Sequence, residues 1–526
     1  MKLSAVLLQG VLSSSLAWSA LAGEAATLPE GSAMHVTIQV DFGADIGQNF
    51  GTLFEVTDRE GRIVAGAGFQ GLYNTTCRND RRALQCFVRP AVETTAPVHD
   101  ALPRFSADTG VYIGDVDGRL LVRPLLSASR PQLWDAAAGA WEPSAEHAAA
   151  GLLGGDGATH LGDGVLTFER GRIAYRGETI LAAPERETIH HVYYAQGHLF
   201  FYHDRRGVDE ADSFTRVCAL PWQPGQPAPD LSKAIAQPTT TLRQTTWAWG
   251  QLGETVLTVT NWGGVYAFRG GAWRTLRTVD GKSFQVYAML NYYDRLLLGQ
   301  YPTGCIYEFD GESMRLRELW PPCLPGVATY SREAQALALY RGDLYATVWP
   351  WAEVWRYDRH ADRWTPMERL FTQPPLTAAV GHPYEAEIVA YNQANGTKHV
   401  MNDWGQRANS LVSVGDALYV GTSNKGGTPR PEGYTFITDA ALAEYGLVHR
   451  FRWPGQITGQ VRWTGAPTTF EVVVAEGRLR LLQDGRELSA AAVEPSLSAG
   501  LAGATVTWGR GMYGPLAGTI LSHRPE

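Results

Sequence analysis

Two segments within residues 283–364 repeat one pattern, and that repetition narrows the choice of fold more than anything else in the chain. The first runs Asp294-Arg-Leu-Leu-Leu-Gly-Gln-Tyr-Pro-Thr-Gly-Cys-Ile-Tyr-Glu-Phe-Asp-Gly311, the second Gly342-Asp-Leu-Tyr-Ala-Thr-Val-Trp-Pro-Trp-Ala-Glu-Val-Trp-Arg-Tyr-Asp358. Each is a polar turn, a short apolar strand, a connection containing Pro or Gly, and a second strand ending aromatic-x-aromatic-Asp. Short strands bounded by turn residues and recurring at an interval predict a closed all-β architecture. Tyr266, Tyr307 and Trp355 fall in register at intervals of 41 and 48 residues, the spacing of a four-stranded propeller blade, roughly 40–50 residues. The dipeptides that mark WD40 and kelch repeats are missing.

Further copies lie on either side. Val111-Tyr-Ile-Gly-Asp-Val-Asp-Gly-Arg-Leu-Leu-Val122 is two strands around Asp-Gly, a strong hairpin signal. Residues 132–141, 160–183, 188–204, 247–268 and 408–426 continue the series, and no long amphipathic periodicity supports helices. The expected fold is an all-β propeller of seven blades over residues 23–455. Residues 456–526 form a C-terminal β segment, which either stands as an appendage or completes the ring with the N-terminal strands. The polar stretch 73–82 reads as a loop, more readily as a solvated turn than as a site.

Residues 1–22 read as a secretory signal: Lys2, an apolar run to Trp18, and Ala20-Leu-Ala22 before the cut. The expected location is secreted or periplasmic, and the run is too short for a membrane anchor. A formal net charge of -8 argues against nucleic acid as partner, while a local basic patch can still hold an anion. The chain is expected to act as a monomer. Cys77 with Cys86, and Cys305 with Cys323, flank turns and could bridge them, leaving Cys218 over. No Cys-x-x-Cys spacing points to a cysteine zinc site.

In a propeller, the approach to each inner strand and the connection after the second strand border the ligand funnel. Three sets of residues occupy such positions. His190, His191 and His203 bracket one blade and suit a general base or a metal, with any one of them as readily plain structure. Asn261 and Trp262, Tyr301, and Trp349 with Trp351 place aromatic faces that stack on pyranose rings, or that pack the blades. Arg243, Arg332, Arg407, Asn424 and Lys425 would form an anion site if they converge, and scattered surface charge if they do not. Asp115-Val-Asp-Gly118 is a turn that falls short of a calcium loop. No phosphate loop, nucleophile elbow or His-Glu-x-x-His is present.

At Phe50-Gly-Thr-Leu-Phe-Glu55, Tyr73-Asn-Thr75, Phe87-Val-Arg-Pro90, Gly299-Gln-Tyr-Pro-Thr-Gly304 and Glu353-Val-Trp-Arg-Tyr-Asp358 the chain resembles the propeller polysaccharide lyases of families 24 and 25, the ulvan lyases, and related propeller enzymes acting on rhamnosyl-glucuronate linkages. The resemblance implies a secreted enzyme that cleaves an acidic, uronate-containing polysaccharide by β-elimination. A cation must neutralise the carboxylate, a base must take the C5 proton, and an acid must protonate the departing O4. It implies His203 as base with His190 or His191 assisting, Tyr301 as proton donor, and Arg332 or Arg407 on the carboxylate. No cofactor is needed for that chemistry; the group often holds a structural zinc or calcium, for which the sequence offers no ligand set. A propeller glycoside hydrolase of rhamnosidase type and a non-catalytic glycan-binding propeller are the alternatives.

Overall fold

The computed structural model describes residues 25–29, 33–74, 76–126, 131–143, 157–169 and 171–525; the expected leader lies outside them. Seven four-stranded antiparallel units succeed one another along these residues. Their first strands are Val111–Val116, Gly157–Leu161, Glu187–Ala195, Thr246–Leu252, Gln285–Tyr292, Glu333–Tyr340 and Arg407–Val414. In six units the strands pair in chain order. The seventh takes its outermost strand, Val98–Ala101, from the N-terminal side, where it pairs with Val448–Arg452. A blade completed by a strand from the far end of the repeat array closes a ring, and the architecture is a β-propeller. The repeats noticed in the sequence are the second and third strands of the fifth and sixth units.

Turn chemistry explains the regularity. Asp117-Gly118, Gln196-Gly197 and Arg341-Gly342 each join paired strands through two residues with positive φ. That is the type I′ geometry whose twist matches the strands it joins. The central strands are apolar on both faces: every residue of Glu333–Tyr340 and Asp343–Trp349 is buried, as expected for sheets packed on each side by neighbouring blades.

The terminal regions form a second body. Ala25–Thr27, Gly51–Thr57, Ile63–Phe69, Ala83–Val88, Gln456–Gln460 and Thr505–Trp508 make a six-stranded sheet. Met34–Asp41, Thr468–Ala475, Arg478–Gln483, Arg486–Ala492 and Thr519–Pro525 make a five-stranded one. Val36, Phe54, Val56, Val472, Leu481 and Val506 lie in their common core, so this is a β-sandwich. The propeller therefore starts at Val98 and not at residue 23. The C-terminal segment does join the N-terminal strands, but in the sandwich and not in the ring. The sandwich sits where the inner strands end, through Arg89 Nη1 to Asp343 Oδ1 (2.6 Å), Arg341 N–H to Gln456 Oε1 (2.8 Å) and Asn49 Nδ2 to Asn291 Oδ1 (2.7 Å).

Residues 70–82 are no solvated turn. They leave the sandwich, enter the propeller channel and return. Leu72–Tyr73 pairs with Met289 and Leu290, Cys77–Arg78 runs parallel to Ile113 and Gly114, and Asn74 bridges to Ala248. Tyr73 Oη donates to the Val192 carbonyl (3.2 Å), Asn79 Nδ2 to that of Ser413 (3.4 Å), and Arg81 Nη1 to that of His160 (3.1 Å). Gln70 Oε1 accepts from Leu339 N–H. Each of the seven inner strands is thus held by this one plug. Its polarity serves backbone groups that a bare channel would leave unpaired. Cys77 joins the propeller core while Cys86 joins the sandwich core, so the hairpin disulfide expected between them does not form. Cys218, Cys305 and Cys323 are also free thiols, so the Cys305–Cys323 bridge is likewise absent.

Candidate functional site

The plug and the sandwich close one mouth of the channel. The other mouth is ringed by the starts of the inner strands, the ends of the second strands, and the 40-residue segment 367–406 between the sixth and seventh units. The side chains that converge there surround Trp349, the last residue of Asp343–Trp349. Arg407, the first residue of Arg407–Val414, lays its guanidinium 5.5 Å from the indole centroid. The Tyr301 ring, at the end of Arg295–Tyr301, is centred 6.5 Å away, and the His382 imidazole 4.9 Å away. An arginine, a tyrosine and a histidine from three elements thus meet at one indole. Gly405 lets Trp349 lie this close, because a Cβ at that position would collide with the indole nitrogen.

Beneath them, Glu333 starts its inner strand fully buried, with Arg407 Nη1 at 3.5 Å and Gln335 Nε2 at 2.7 Å from Oε1. Burial pushes its carboxyl above the usual range, against the opposing pull of Arg407. Burial also raises the neighbouring Tyr287 phenol, and the ring stacks on Trp247 at 5.5 Å. His382 is lowered by burial, so its ring is neutral near neutral pH; Nδ1 lies 3.3 Å from Glu385 Oε2. Lys425 sits half-exposed on the rim, 3.8 Å from Asp403, and its charge reaches Glu333 and His382. Arg407 Nε is buried with no hydrogen-bond partner. A cation with an unused donor, a neutral imidazole and a phenol around an aromatic floor can bind an anion and move protons.

The other residues singled out in the sequence lie elsewhere or are engaged. His203 is 1% exposed, with Nε2 on Glu187 Oε2 (2.5 Å) and Nδ1 facing the Arg216 guanidinium (3.1 Å). Both ring nitrogens are occupied, so it has no lone pair free for a substrate proton. His190 is on the opposite face of that blade, because His190 pairs with Tyr202 while His203 pairs with Ile189. His190 and His191 touch through their Nδ1 atoms (2.7 Å), and His190 Nε2 is held by Asp204 (2.8 Å). Burial, then the charge of His190, drives His191 down to about 3. Arg332 is sealed against Glu353 by contacts of 2.9 to 3.2 Å and cannot reach a ligand carboxylate.

Asn424 is spent on Thr109 and Thr428, and Trp351 is buried in the blade packing. Arg243 is exposed beside a separate groove with Arg206 and Glu210. Asn261 Oδ1 locks its own turn by accepting Thr245 N–H (3.0 Å), which leaves Trp262 57% exposed on the rim. Reasoning from the sequence missed His382 and Tyr287, and met Glu333 only as the neighbour of Arg332. The signal for His382 was the long stretch after Pro366 without a strand pattern, since such insertions are uncommon and often functional.

No protein-family model matches the chain, and neither does any curated protein. Among solved structures it is similar to AztD from Citrobacter koseri, at 10% identity over 88% of this chain and 95% of that one, with a TM-score of 0.29. BamB from Moraxella catarrhalis aligns at 12% identity over 67% and 92%, with a TM-score of 0.30. The WD40 propeller domain of Doa1 aligns at 10% over 69% and 96%, also at 0.30. At these scores the likenesses add no weight, and the fold rests on its own strand order. Among the described residues no helix is long and apolar enough to cross a membrane.

Proposed function

We propose that the protein is a polysaccharide lyase whose open mouth takes a uronate-bearing glycan. The observation that carries this reading is the meeting of Tyr301, His382 and Arg407 around Trp349. β-Elimination needs a cation, a base and an acid at one sugar. Arg407, with Lys425 near it, pairs with the substrate carboxylate and makes the C5 proton more acidic. His382, neutral and steadied by Glu385, takes that proton. Tyr301 protonates the O4 that leaves as the C4–O4 bond breaks and the C4–C5 double bond forms. Trp349, with Trp262 farther out, offers apolar faces to the sugar rings. This keeps Tyr301, takes Arg407 of the two arginines offered for the carboxylate, and replaces His203 by His382.

The test is ultraviolet absorbance during incubation with ulvan and other uronate polysaccharides. A rise marks an unsaturated uronate and supports elimination. Release of reducing sugar without a rise would overturn it in favour of a hydrolase. Binding with neither signal would leave a glycan-binding propeller, a reading that the exposed Trp262 and Tyr330 on the rim also suit.

A further inference from the structure

We propose a divalent transition-metal site, of the kind that takes Zn2+, formed by Asp117 and His160 with Asp80 behind the imidazole. These groups are far from the open mouth. Asp117 lies in the Asp117-Gly118 turn of the first unit, His160 on the first strand of the second unit, and Asp80 in the plug. One ligand atom from each comes within 4.8 Å of the others.

The internal geometry has the order of a metal triad. His160 Nδ1 lies 3.0 Å from Asp80 Oδ1, a hydrogen bond that leaves the Nε2 lone pair pointing away. Nε2 in turn lies 3.7 Å from Asp117 Oδ1. That is too long for a hydrogen bond. It is the separation of two atoms each about 2.1 Å from one ion, near the usual Zn–N and Zn–O lengths. A carboxylate on the far nitrogen of a ligating histidine is the common outer-shell arrangement, which fixes the tautomer and orients the ring.

A separate observation points the same way. Asp115, two residues from Asp117, is 5% exposed, and its Oδ2 has no hydrogen-bond partner. Asp115 stands beside Asp80 and Asp117, and its buried, unpartnered oxygen is one that a cation would satisfy. Arg82 turns its guanidinium to Asp45 and the Gly162 carbonyl and gives its backbone N–H to Asp80. Asp117 and His160 both border a groove of about 580 Å³ between propeller and sandwich, so an ion has a route in. It would fasten the first unit, the second unit and the plug at one point.

The probe is Zn2+ added to the EDTA-treated full-length chain, read by metal content after desalting and by Tm. The expected result is one zinc per chain and a rise in Tm of roughly 2–5 °C. Asp117→Asn should abolish both, and His160→Ala should also lose the zinc. Asp80→Asn should weaken binding roughly 10–100-fold, the effect of removing an orienting carboxylate. His382→Ala, at the open mouth, should keep the zinc and the Tm rise, which separates this inference from the lyase reading. Zinc that stays bound in both Asp117→Asn and His160→Ala, or no zinc retained by the unaltered chain, would overturn the assignment.

Discussion

Two arginines at blade entrances, Arg407 as the first residue of its inner strand and Arg332 one residue before its own, meet opposite fates, and the difference decides what each mutation reports. Arg407 faces the mouth with an unused Nε, whereas Arg332 is sealed against Glu353. Tyr301→Phe should lower the rate of unsaturated-product formation by about 10²–10³-fold with little change in Tm, and Arg407→Ala should lower it as much while also costing stability, because it removes the counter-ion of the buried Glu333. Arg332→Ala should leave the buried Glu353 without its counter-ion and cost roughly 3–5 kcal/mol in denaturant unfolding. His203→Ala belongs with Arg332: it strips partners from Glu187 and Arg216, so stability should fall while turnover per folded molecule holds. A loss of turnover in His203→Ala at unchanged Tm would return the base to His203. The sequence placed Tyr301, Trp349 and Arg407 at the mouth because strand ends can be read from turn residues and apolar runs. It could not separate Arg407 from Arg332, since the partner of Arg332 is 21 residues away and meets it only in the folded blade.

The blades were legible for a local reason: dipeptides such as Asp117-Gly118 impose a hairpin whatever surrounds them. The plug was not. Residues 70–82 have the composition of a surface loop, yet their backbone pairs with three inner strands and their polar side chains meet the backbone of the other four. Ring closure hid for a similar reason, because Val98–Ala101 has no partner nearby in the sequence. A plug tied to every blade should make the ring unfold as one unit. Leu72, 8% exposed in the propeller core, is the apolar anchor of that element. Leu72→Ala should cost about 2–5 kcal/mol. It should lower one cooperative calorimetric transition without splitting it; two transitions, with only one of them shifted, would show that the plug is a passenger.

At the scale of the whole molecule, the closing seam carries a proton-sensitive pair. His99, on the borrowed strand Val98–Ala101, places Nε2 3.1 Å from His449 Nδ1 on Val448–Arg452, and its own Nδ1 2.9 Å from Glu368. The other nitrogen of His449 is buried with no partner. Burial, then the charge of His99, brings His449 down to about 4. An unfolded histidine titrates near 6.5, so below that pH the unfolded chain binds a proton that the closed ring refuses. The contribution of His449 is intact above pH 6.5 and is lost as the pH falls towards 4, at about 1.4 kcal/mol per unit. His191 adds a loss of the same sign, while the raised carboxyls of Glu55, Glu333 and Asp115 act in the opposite direction. The net slope of the native chain is therefore uninformative, and a comparison isolates the seam. His449→Gln removes one titrating group and leaves the others in place. Denaturant unfolding of both proteins at pH 7, 5.5 and 4.5 should show the variant losing less stability on acidification. The gap should widen by about 1.4 kcal/mol per unit below pH 6.5. Parallel curves would mean that the pair takes up a proton without straining the closure, and that the ring is held at this seam by the neighbouring Arg450–Asp100 bridge (2.6 Å) and the strand pairing alone.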